Sequence, residues 1–381
     1  MKIAIVCTML NGFGRKGFYN SQEVGLGRAI AAHGHTVTIY KGVRMTETEE
    51  TQSRGEGVTI RYIPMHRFGP HGYLKTSLID RDTDALLCFS DQQQFIPHIE
   101  AFCRKNGIVF VPYVGTAHSL HSGLRARVMD LLFSLGTLRL YHRMPVLAKT
   151  DSARDELCAL GVKDVTVANV GLDATELNHD FHSADRAVLK QAWGFAADDV
   201  IICNVSRLEP EKRPLELVDL FDRVKDHRNY RLLIIGEGTL RPQLEEKIAA
   251  LSLGEKVKLI NRVPYAKMWE IYTMSDYFLN LNKGEIFGMA IMEAVFYCTS
   301  VAASDALGPR TTLAGMTGHK LCADDAEMEA WLTSPYPTED ELRQSSAKMI
   351  ADFSWNRCAE AFLNVVARQK ATRTPGKTLR A

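Results

Sequence analysis

Residues 276–297 read DYFLNLNKGEIFGMAIMEAVFY, and they place two acids around the start of a predicted helix. The first seven letters have the apolar run of a buried strand, and a helical pattern begins at about Gly288. Glu285 lies in the loop between them, and Glu293 lies inside the helix, eight positions later. A helix N-terminus favours phosphate. A carboxylate in the loop before it can accept hydrogen bonds from sugar hydroxyls, and a carboxylate inside the helix can accept them from ribose hydroxyls. An ordinary amphipathic helix with two solvated glutamates has the same spacing, so this stretch alone leaves both interpretations open.

A second charged cluster follows an apolar run earlier in the same half of the chain. Residues 200–206, VIICNVS, predict a buried strand, and RLEPEKRP follows at 207–214. Pro214 stands at the expected start of a helix, because leucines follow it at helical spacing. Arg207 and Lys212 therefore flank a strand-to-helix turn. Two cations fixed there can neutralise a pyrophosphate, arginine through paired hydrogen bonds and lysine as a point charge.

The N-terminal residues predict another series of strands and helices. Lys2 to Cys7 indicates a strand, Ser21 to His33 a helix that begins after a serine cap, and His35 to Tyr40 the next strand. This order predicts a parallel sheet. The glycines of the first loop do not match G-x-G-x-x-G and no acid ends the second strand, which argues against a dinucleotide-binding dehydrogenase. A polar, acidic stretch from Thr46 to Gly57 reads as a surface loop.

Composition excludes several classes of protein. The chain has 381 residues, which favours two domains, and its net charge of +1 gives no overall case for nucleic acid. The eight cysteines occur singly, so neither a disulfide framework nor a zinc site is predicted. Asp82 and Asp84 match a D-x-D metal motif, but a loop entering the strand ALLCFS is the favoured interpretation. The N-terminus indicates a first strand instead of a signal peptide, and no apolar run is long enough to span a membrane.

The segment from Glu285 to Glu293 resembles the E-x7-E motif of retaining glycosyltransferases with the GT-B fold, especially glycosyltransferase family 4 (glycosyltransferase group 1). The residues from Ser206 to Lys212 resemble the S-R-L-x-x-E-K element of that family, and Phe353-Ser354-Trp355 resembles its last crossover. The resemblance implies an α/β protein with two Rossmann-like, doubly wound domains facing an interdomain cleft. The predicted domains are residues 1–175 on the acceptor side and 176–355 on the donor side, and residues 356–381 form a returning helix and a basic tail.

The resemblance also implies roles for particular residues. Catalytic candidates are Glu285, His118, Arg207 and Lys212. The residues expected to bind the donor are Gly14, Arg207, Lys212, Val263, Glu285, Phe287, Gly288, Met289 and Glu293. Gly12 and Arg15 are expected in a loop of the cleft near the acceptor. His118 follows the strand IVFVPYV, where it either points at the donor sugar or is a capping or surface histidine.

This chain departs from the family pattern at three places. Cys298 stands where the family usually has glycine, Ser300 where it has proline, and Leu281-Asn282 where many members have Pro-Ser. The first two departures lie at the end of the predicted helix, away from the phosphates. They therefore put the subfamily in doubt more than the activity.

The function that the resemblance implies is that of a retaining, hexosyltransferase-type glycosyltransferase (EC 2.4). It would move a sugar from a nucleoside-diphosphate sugar, with UDP favoured, to a hydroxyl of a carbohydrate, lipid-linked, protein or small-molecule acceptor in bacterial glycan biosynthesis. No cofactor and no metal are expected, because two cations and a helix dipole can neutralise the diphosphate. Two alternatives remain open: a non-hydrolysing sugar-nucleotide epimerase of the same fold, and a nucleotide-binding module without catalysis.

The expected location is the cytoplasm, with one segment that also allows contact with a membrane. Residues 124–143 mix apolar residues with four arginines. This pattern fits a helix that docks on anionic lipid. More often, such a pattern belongs to a helix packed on its own sheet, with arginines extending into water.

Overall fold

The structure of the chain is a computed structural model that describes residues 1–10, 21–68, 71–91, 93–117 and 123–373. The chain forms two compact units. The described residues of the N-terminal unit lie within 1–10, 21–173 and 353–373, and those of the C-terminal unit within 174–352. The sequence predicts boundaries after residues 175 and 355.

The described residues contain sixteen strands and fourteen α-helices, numbered here in chain order. The strands are β1 (Lys2–Cys7), β2 (Thr36–Val43), β3 (Glu50–Ser53), β4 (Val58–Pro64), β5 (His66–Phe68), β6 (His71–Tyr73), β7 (Ala85–Phe89), β8 (Val109–Val114), β9 (Val146–Ala148), β10 (Val165–Val167), β11 (Val200–Val205), β12 (Tyr230–Ile235), β13 (Val257–Ile260), β14 (Tyr277–Asn280), β15 (Ser300–Ser304) and β16 (Lys320–Cys322). The helices are α1 (Gln22–Ala32), α2 (Ile96–Lys105), α3 (Gly123–Leu135), α4 (Thr137–Tyr141), α5 (Asp151–Ala159), α6 (Arg186–Ala192), α7 (Pro214–Val224), α8 (Arg241–Ala250), α9 (Met268–Met274), α10 (Met289–Phe296), α11 (Leu307–Thr312), α12 (Asp325–Thr333), α13 (Glu339–Asp352) and α14 (Trp355–Arg373).

The N-terminal unit is built on an eight-stranded sheet in the order β10-β9-β8-β7-β1-β2-β4-β3. All neighbouring strands are parallel except β3 and β4. The central strands are buried on both faces, which is why their sequences are almost continuously apolar. The last helix, α14, belongs to this unit, and a Cβ added to Gly25 of α1 would lie 2.4 Å from Trp355 Nε1. The absence of a side chain at Gly25 therefore lets α1 approach α14 closely.

The C-terminal unit has a six-stranded, wholly parallel sheet in the order β13-β12-β11-β14-β15-β16. The chain winds from β11 to one edge and then from β14 to the other edge, so the strand order reverses between these two strands. In open parallel sheets, ligands bind beyond the carboxyl ends of the strands at such a reversal. The loops after β11 and β14 are therefore where the fold predicts a binding site.

One expectation for the N-terminal unit was wrong. The stretch from Thr46 to Gly57 does not form a continuous surface loop, because β3 lies within it and pairs antiparallel with β4. Its residues, ETQS, carry no apolar signal. An edge strand can be polar because its backbone pairs with only one neighbour and its side chains reach water. The helical stretch 124–143 likewise forms two helices, α3 and α4, joined at Gly136.

Cys298 follows the C-cap of α10 and has a left-handed backbone, with φ of 59°. Only glycine adopts this conformation without cost, which explains why the family pattern has glycine there. Cys298→Gly is expected to raise the free energy of unfolding by about 0.5–1 kcal/mol, because relief of backbone strain exceeds the entropy that glycine adds to the unfolded chain. Chemical denaturation measures this change. The same substitution at the exposed, helical Cys158 should lower stability, and a loss of stability at both positions would contradict the prediction.

Candidate functional site

Two loops meet at the carboxyl edge of the C-terminal sheet. One follows β11 and includes Lys212, and the other follows β14 and includes Glu285. The two strands are direct neighbours, with Ile202 opposite Tyr277 and Cys203 opposite Phe278. The parallel pairing therefore brings together residues that are 73 positions apart in the sequence.

Lys212 and Glu285 form an ion pair, with 2.8 Å between Nζ and Oε2. Both side chains are largely buried, being 19% and 15% exposed. Burial raises the pKa of Glu285, but the Lys212 charge and the hydrogen bonds from Lys212, Asn282 and Asn280 outweigh it, so the pKa lies below its ordinary value. Glu285 is thus an ionised carboxylate at neutral pH.

Two asparagines hold the same carboxylate oxygen. The side-chain amides of Asn280 and Asn282 donate to Glu285 Oε2 at 3.3 and 3.1 Å. Within the described part of the chain, no side chain donates a hydrogen bond to the other oxygen of Glu285, Oε1. Oε1 can therefore accept a hydrogen bond from a ligand hydroxyl. In the sequence, Asn282 stands out only as a departure from Pro-Ser, and neither asparagine was predicted to bond Glu285. Polar residues at the end of a buried strand were the signal available.

The loop that carries Glu285 is fixed by close backbone packing. Gly308 donates its N–H to the Glu285 carbonyl at 2.8 Å, and a Cβ at Gly308 would lie 2.6 Å from the Phe287 nitrogen. Phe287 is buried, and Gly288 has a φ of 90° at the N-cap of α10, where an L side chain would be strained. Met289, the first residue of α10, is partly exposed. The N-terminus of α10 therefore begins beside the Lys212–Glu285 pair.

Glu293 lies on α10 and is only 6% exposed, so the interpretation of two solvated glutamates is wrong. Tyr272 donates to its Oε2 at 2.9 Å, and Tyr265 donates to its Oε1 at 3.2 Å. Burial and the neighbouring Glu293 charge raise the pKa of Tyr272 well above its ordinary value, so its hydroxyl stays a donor. Neither tyrosine was predicted from the sequence to contact Glu293.

A small recess opens beside this carboxylate. It is lined by Glu176, Tyr265, Met268, Trp269, Tyr272, Glu293 and Tyr297. The Tyr272 and Tyr297 rings stack at 5.9 Å with 8° between their planes, which fixes the orientation of Tyr272. Val263, the expected neighbour of the nucleotide base, is buried two residues before Tyr265.

Arg207 is placed differently from Lys212. Its side chain is 51% exposed, and its guanidinium pairs with Glu211 at 2.7 Å on the same segment. Arg213, the residue after Lys212, has a left-handed backbone (φ 54°), and its guanidinium donates two hydrogen bonds to Asp325 at 3.1 and 2.9 Å. The structure therefore joins Lys212 to Glu285 but pairs Arg207 with Glu211.

The remaining predicted residues, His118, Gly12, Gly14 and Arg15, lie outside the described residues. Among the described residues, no group of three His, Cys, Asp or Glu side chains is arranged to hold a metal ion. The carboxylates of the D-x-D motif pair with lysines instead: Asp82 with Lys2, and Asp84 with Lys370 at 2.8 Å. The interpretation of this motif as a loop entering a strand therefore agrees with its contacts.

The lowered pKa of Glu285 predicts a pH dependence of stability. The stabilisation is fully present above the ordinary pKa of 4.5 and is lost as the pH falls through the lower folded-state value. The difference in unfolding free energy between the wild type and Glu285→Gln should therefore be largest near neutral pH and shrink in acid. Chemical denaturation of both proteins at a series of pH values measures it. A difference that grows as the pH falls would contradict the assignment of an ionised, paired Glu285.

The chain resembles known glycosyltransferases over most of its length. Residues 185–333 match the protein family described as Glycosyl transferases group 1. The chain is 23% identical to a D-inositol 3-phosphate glycosyltransferase from Jonesia denitrificans over 97% of this chain and 96% of that protein. These similarities support a glycosyltransferase.

Two solved structures show the same fold. Sucrose-phosphate synthase from Thermosynechococcus elongatus has a TM-score of 0.74 at 14% identity, covering 98% of this chain and all (100%) of that one. HepE from Anabaena in complex with UDP-glucose has a TM-score of 0.69 at 15% identity, covering 98% of this chain and 100% of that one. The fold is thus the α/β fold of GT-B glycosyltransferases, and the family match lies within the unit that carries Lys212, Glu285 and Glu293.

Proposed function

We propose that this chain is a retaining glycosyltransferase that moves a sugar from a UDP-sugar to a hydroxyl acceptor. The observation that carries the proposal is the partly buried Lys212–Glu285 pair beside the N-terminus of α10, at the strand reversal of the C-terminal sheet. UDP is favoured because a structure of the same fold holds UDP-glucose. A role in bacterial glycan or glycoconjugate biosynthesis in the cytoplasm is part of the proposal, since the family resemblance implies it.

The residues divide the work between the leaving group and the sugar. As the bond between the anomeric carbon and the diphosphate oxygen breaks, negative charge develops on that oxygen. Lys212 and the N–H groups at the start of α10 stabilise this charge, and Arg207 can join them because its exposed side chain can leave Glu211. These positive groups supply what a divalent cation would supply, so we propose that no metal and no cofactor are required.

Glu285 holds the donor sugar through its second oxygen, Oε1, while Lys212 and the two asparagines fix the first. Glu293 accepts hydrogen bonds from the ribose hydroxyls, with Tyr265 and Tyr272 setting its orientation. The acceptor hydroxyl attacks the anomeric carbon from the face that the diphosphate leaves. Its proton passes to the departing phosphate oxygen, so charge and atoms balance without a side-chain base.

Incubation with UDP-glucose, UDP-galactose and UDP-N-acetylglucosamine, with and without a panel of hydroxyl compounds, tests the proposal. Release of UDP that depends on an acceptor, with a product of unchanged anomeric configuration by NMR, is the expected result. Interconversion of the UDP-sugars without an acceptor would indicate an epimerase. Binding of UDP without any chemistry would indicate a nucleotide-binding module, and either outcome would overturn the proposal.

A further inference from the structure

Helix α3 of the N-terminal unit carries an apolar stripe on its surface. Val128, Leu131, Leu132 and Leu135 are 48%, 57%, 42% and 52% exposed. Their spacing of i, i+3, i+4 and i+7 places them on one face of the helix. Of the eleven large apolar residues that are exposed in the described part of the chain, these four lie within one helix of 13 residues. Such clustering distinguishes a surface from scattered exposed side chains.

The opposite face of α3 is anchored to its own unit. Phe133 is 2% exposed and lies with its ring 5.9 Å from that of Tyr141, in a core cluster with Val114 and Leu138. Phe133 is two positions from both Leu131 and Leu135, so it lies roughly 160° around the helix from each of them. The helix therefore cannot turn its stripe inward without removing Phe133 from the core.

Exposed arginines precede and follow the stripe in the sequence. Arg127 on α3, Arg139 on α4 and Arg143 just after it are all exposed, and none of the three forms an ion pair within the described ranges. Other exposed arginines, such as Arg223 and Arg310, do pair with acids. Asp130 is the single acid in α3. Residues 123–143 therefore hold four arginines against one acid, in a chain whose net charge is only +1.

We propose that α3 and the adjoining α4 dock the protein on an anionic lipid bilayer. The four apolar side chains would enter the boundary between headgroups and acyl chains, and the arginines would contact lipid phosphates. Two copies of the chain meeting through this stripe would bring their arginines together, which disfavours self-association. None of the described helices is long and apolar enough to cross a membrane. This proposal does not depend on sugar transfer.

Co-sedimentation with vesicles tests the surface directly. The wild type should bind vesicles of equimolar phosphatidylcholine and phosphatidylglycerol, and should bind pure phosphatidylcholine much less. The double variant Leu131→Gln, Leu135→Gln should lose about tenfold or more in partitioning, because two apolar side chains no longer enter the lipid. The matched control Val188→Gln removes an apolar side chain of similar exposure, 59%, from the C-terminal unit and should bind as the wild type does.

The charges make a separate contribution. The triple variant Arg127→Gln, Arg139→Gln, Arg143→Gln should have a lower affinity for mixed vesicles, with a several-fold loss for each charge removed. Added salt should lower the affinity of the wild type more than that of this variant. Circular dichroism confirms that each variant is folded. Equal vesicle binding by the wild type and the leucine variant would overturn the proposal. So would a wild-type dimer in analytical ultracentrifugation that the leucine variant abolishes.

Discussion

Lys212→Ala is expected to lower the rate of sugar transfer by about 100- to 1000-fold, the effect of removing one group that stabilises transition-state charge. The physical reason is that Lys212 is a partly buried cation fixed at 2.8 Å from Glu285, so in the proposed reaction no mobile charge has to be recruited when the diphosphate leaves. The variant also leaves a largely buried carboxylate without its cation, and some loss of stability should accompany the loss of rate. Initial rates of UDP release at saturating donor measure the effect.

A matched control distinguishes the effect of losing Lys212 from the effect of losing any paired lysine in this unit. Lys247 lies in the same unit, is 26% exposed and pairs with Asp219 at 2.5 Å, so Lys247→Ala removes a similar pair away from the two loops. Its rate should stay close to that of the wild type. Near-normal turnover of Lys212→Ala would remove Lys212 from the catalytic machinery.

A double-mutant cycle then distinguishes two ways in which Lys212 can act. If Lys212 acts on the leaving group itself, combining Lys212→Ala with Glu285→Gln should lower the rate further than either change alone. If Lys212 only holds Glu285 in place, the double variant should be no slower than Glu285→Gln. The proposed role of Lys212 requires the first result.

The sequence predicted the strands of the site better than its contacts. The apolar runs of β11 and β14 and the helix start at Pro214 were predicted, because burial and helix capping leave a local pattern. The Lys212–Glu285 pair joins residues 73 positions apart, and no local pattern states which of two nearby cations reaches the acid. That choice depends on the left-handed turn at Arg213 and on the Arg207–Glu211 pair.

The contacts of the two tyrosines beside Glu293 also could not be predicted from a local sequence pattern. Tyr272 and Tyr265 are 21 and 28 positions away from Glu293 and read as ordinary residues of a helix and a loop. Only the packing of α9 and its preceding turn against α10 directs their hydroxyls to one carboxylate. In β3 the signal failed for another reason, since a polar edge strand satisfies its backbone without an apolar face.

Substitutions of Glu285 and Glu293 should have different effects on UDP affinity and on turnover. Glu293→Gln is expected to weaken UDP by about 1–3 kcal/mol, or roughly 5- to 150-fold in Kd, because a buried charged acceptor for the ribose is lost. Tyr272→Phe should weaken UDP in the same direction by less, since the Glu293 side chain is kept and only the 2.9 Å hydrogen bond that orients it is lost. Glu285→Gln should depress turnover while leaving the affinity for UDP nearly intact, because UDP carries no sugar.

Isothermal titration calorimetry with UDP measures the three affinities without knowledge of the acceptor. Glu246→Gln, an exposed glutamate of α8 in the same unit, serves as the control and should bind UDP as the wild type does. Calorimetry with 2′-deoxy-UDP adds a second readout. Removal of the 2′-hydroxyl should lower the affinity of the wild type more than that of Glu293→Gln, because the two changes remove the two partners of one contact. If Glu285→Gln lost UDP binding and Glu293→Gln kept it, the two roles would be reversed. If neither variant changed binding or turnover, the buried carboxylates would be structural, and a site between the loops after β11 and β14 would have to be abandoned.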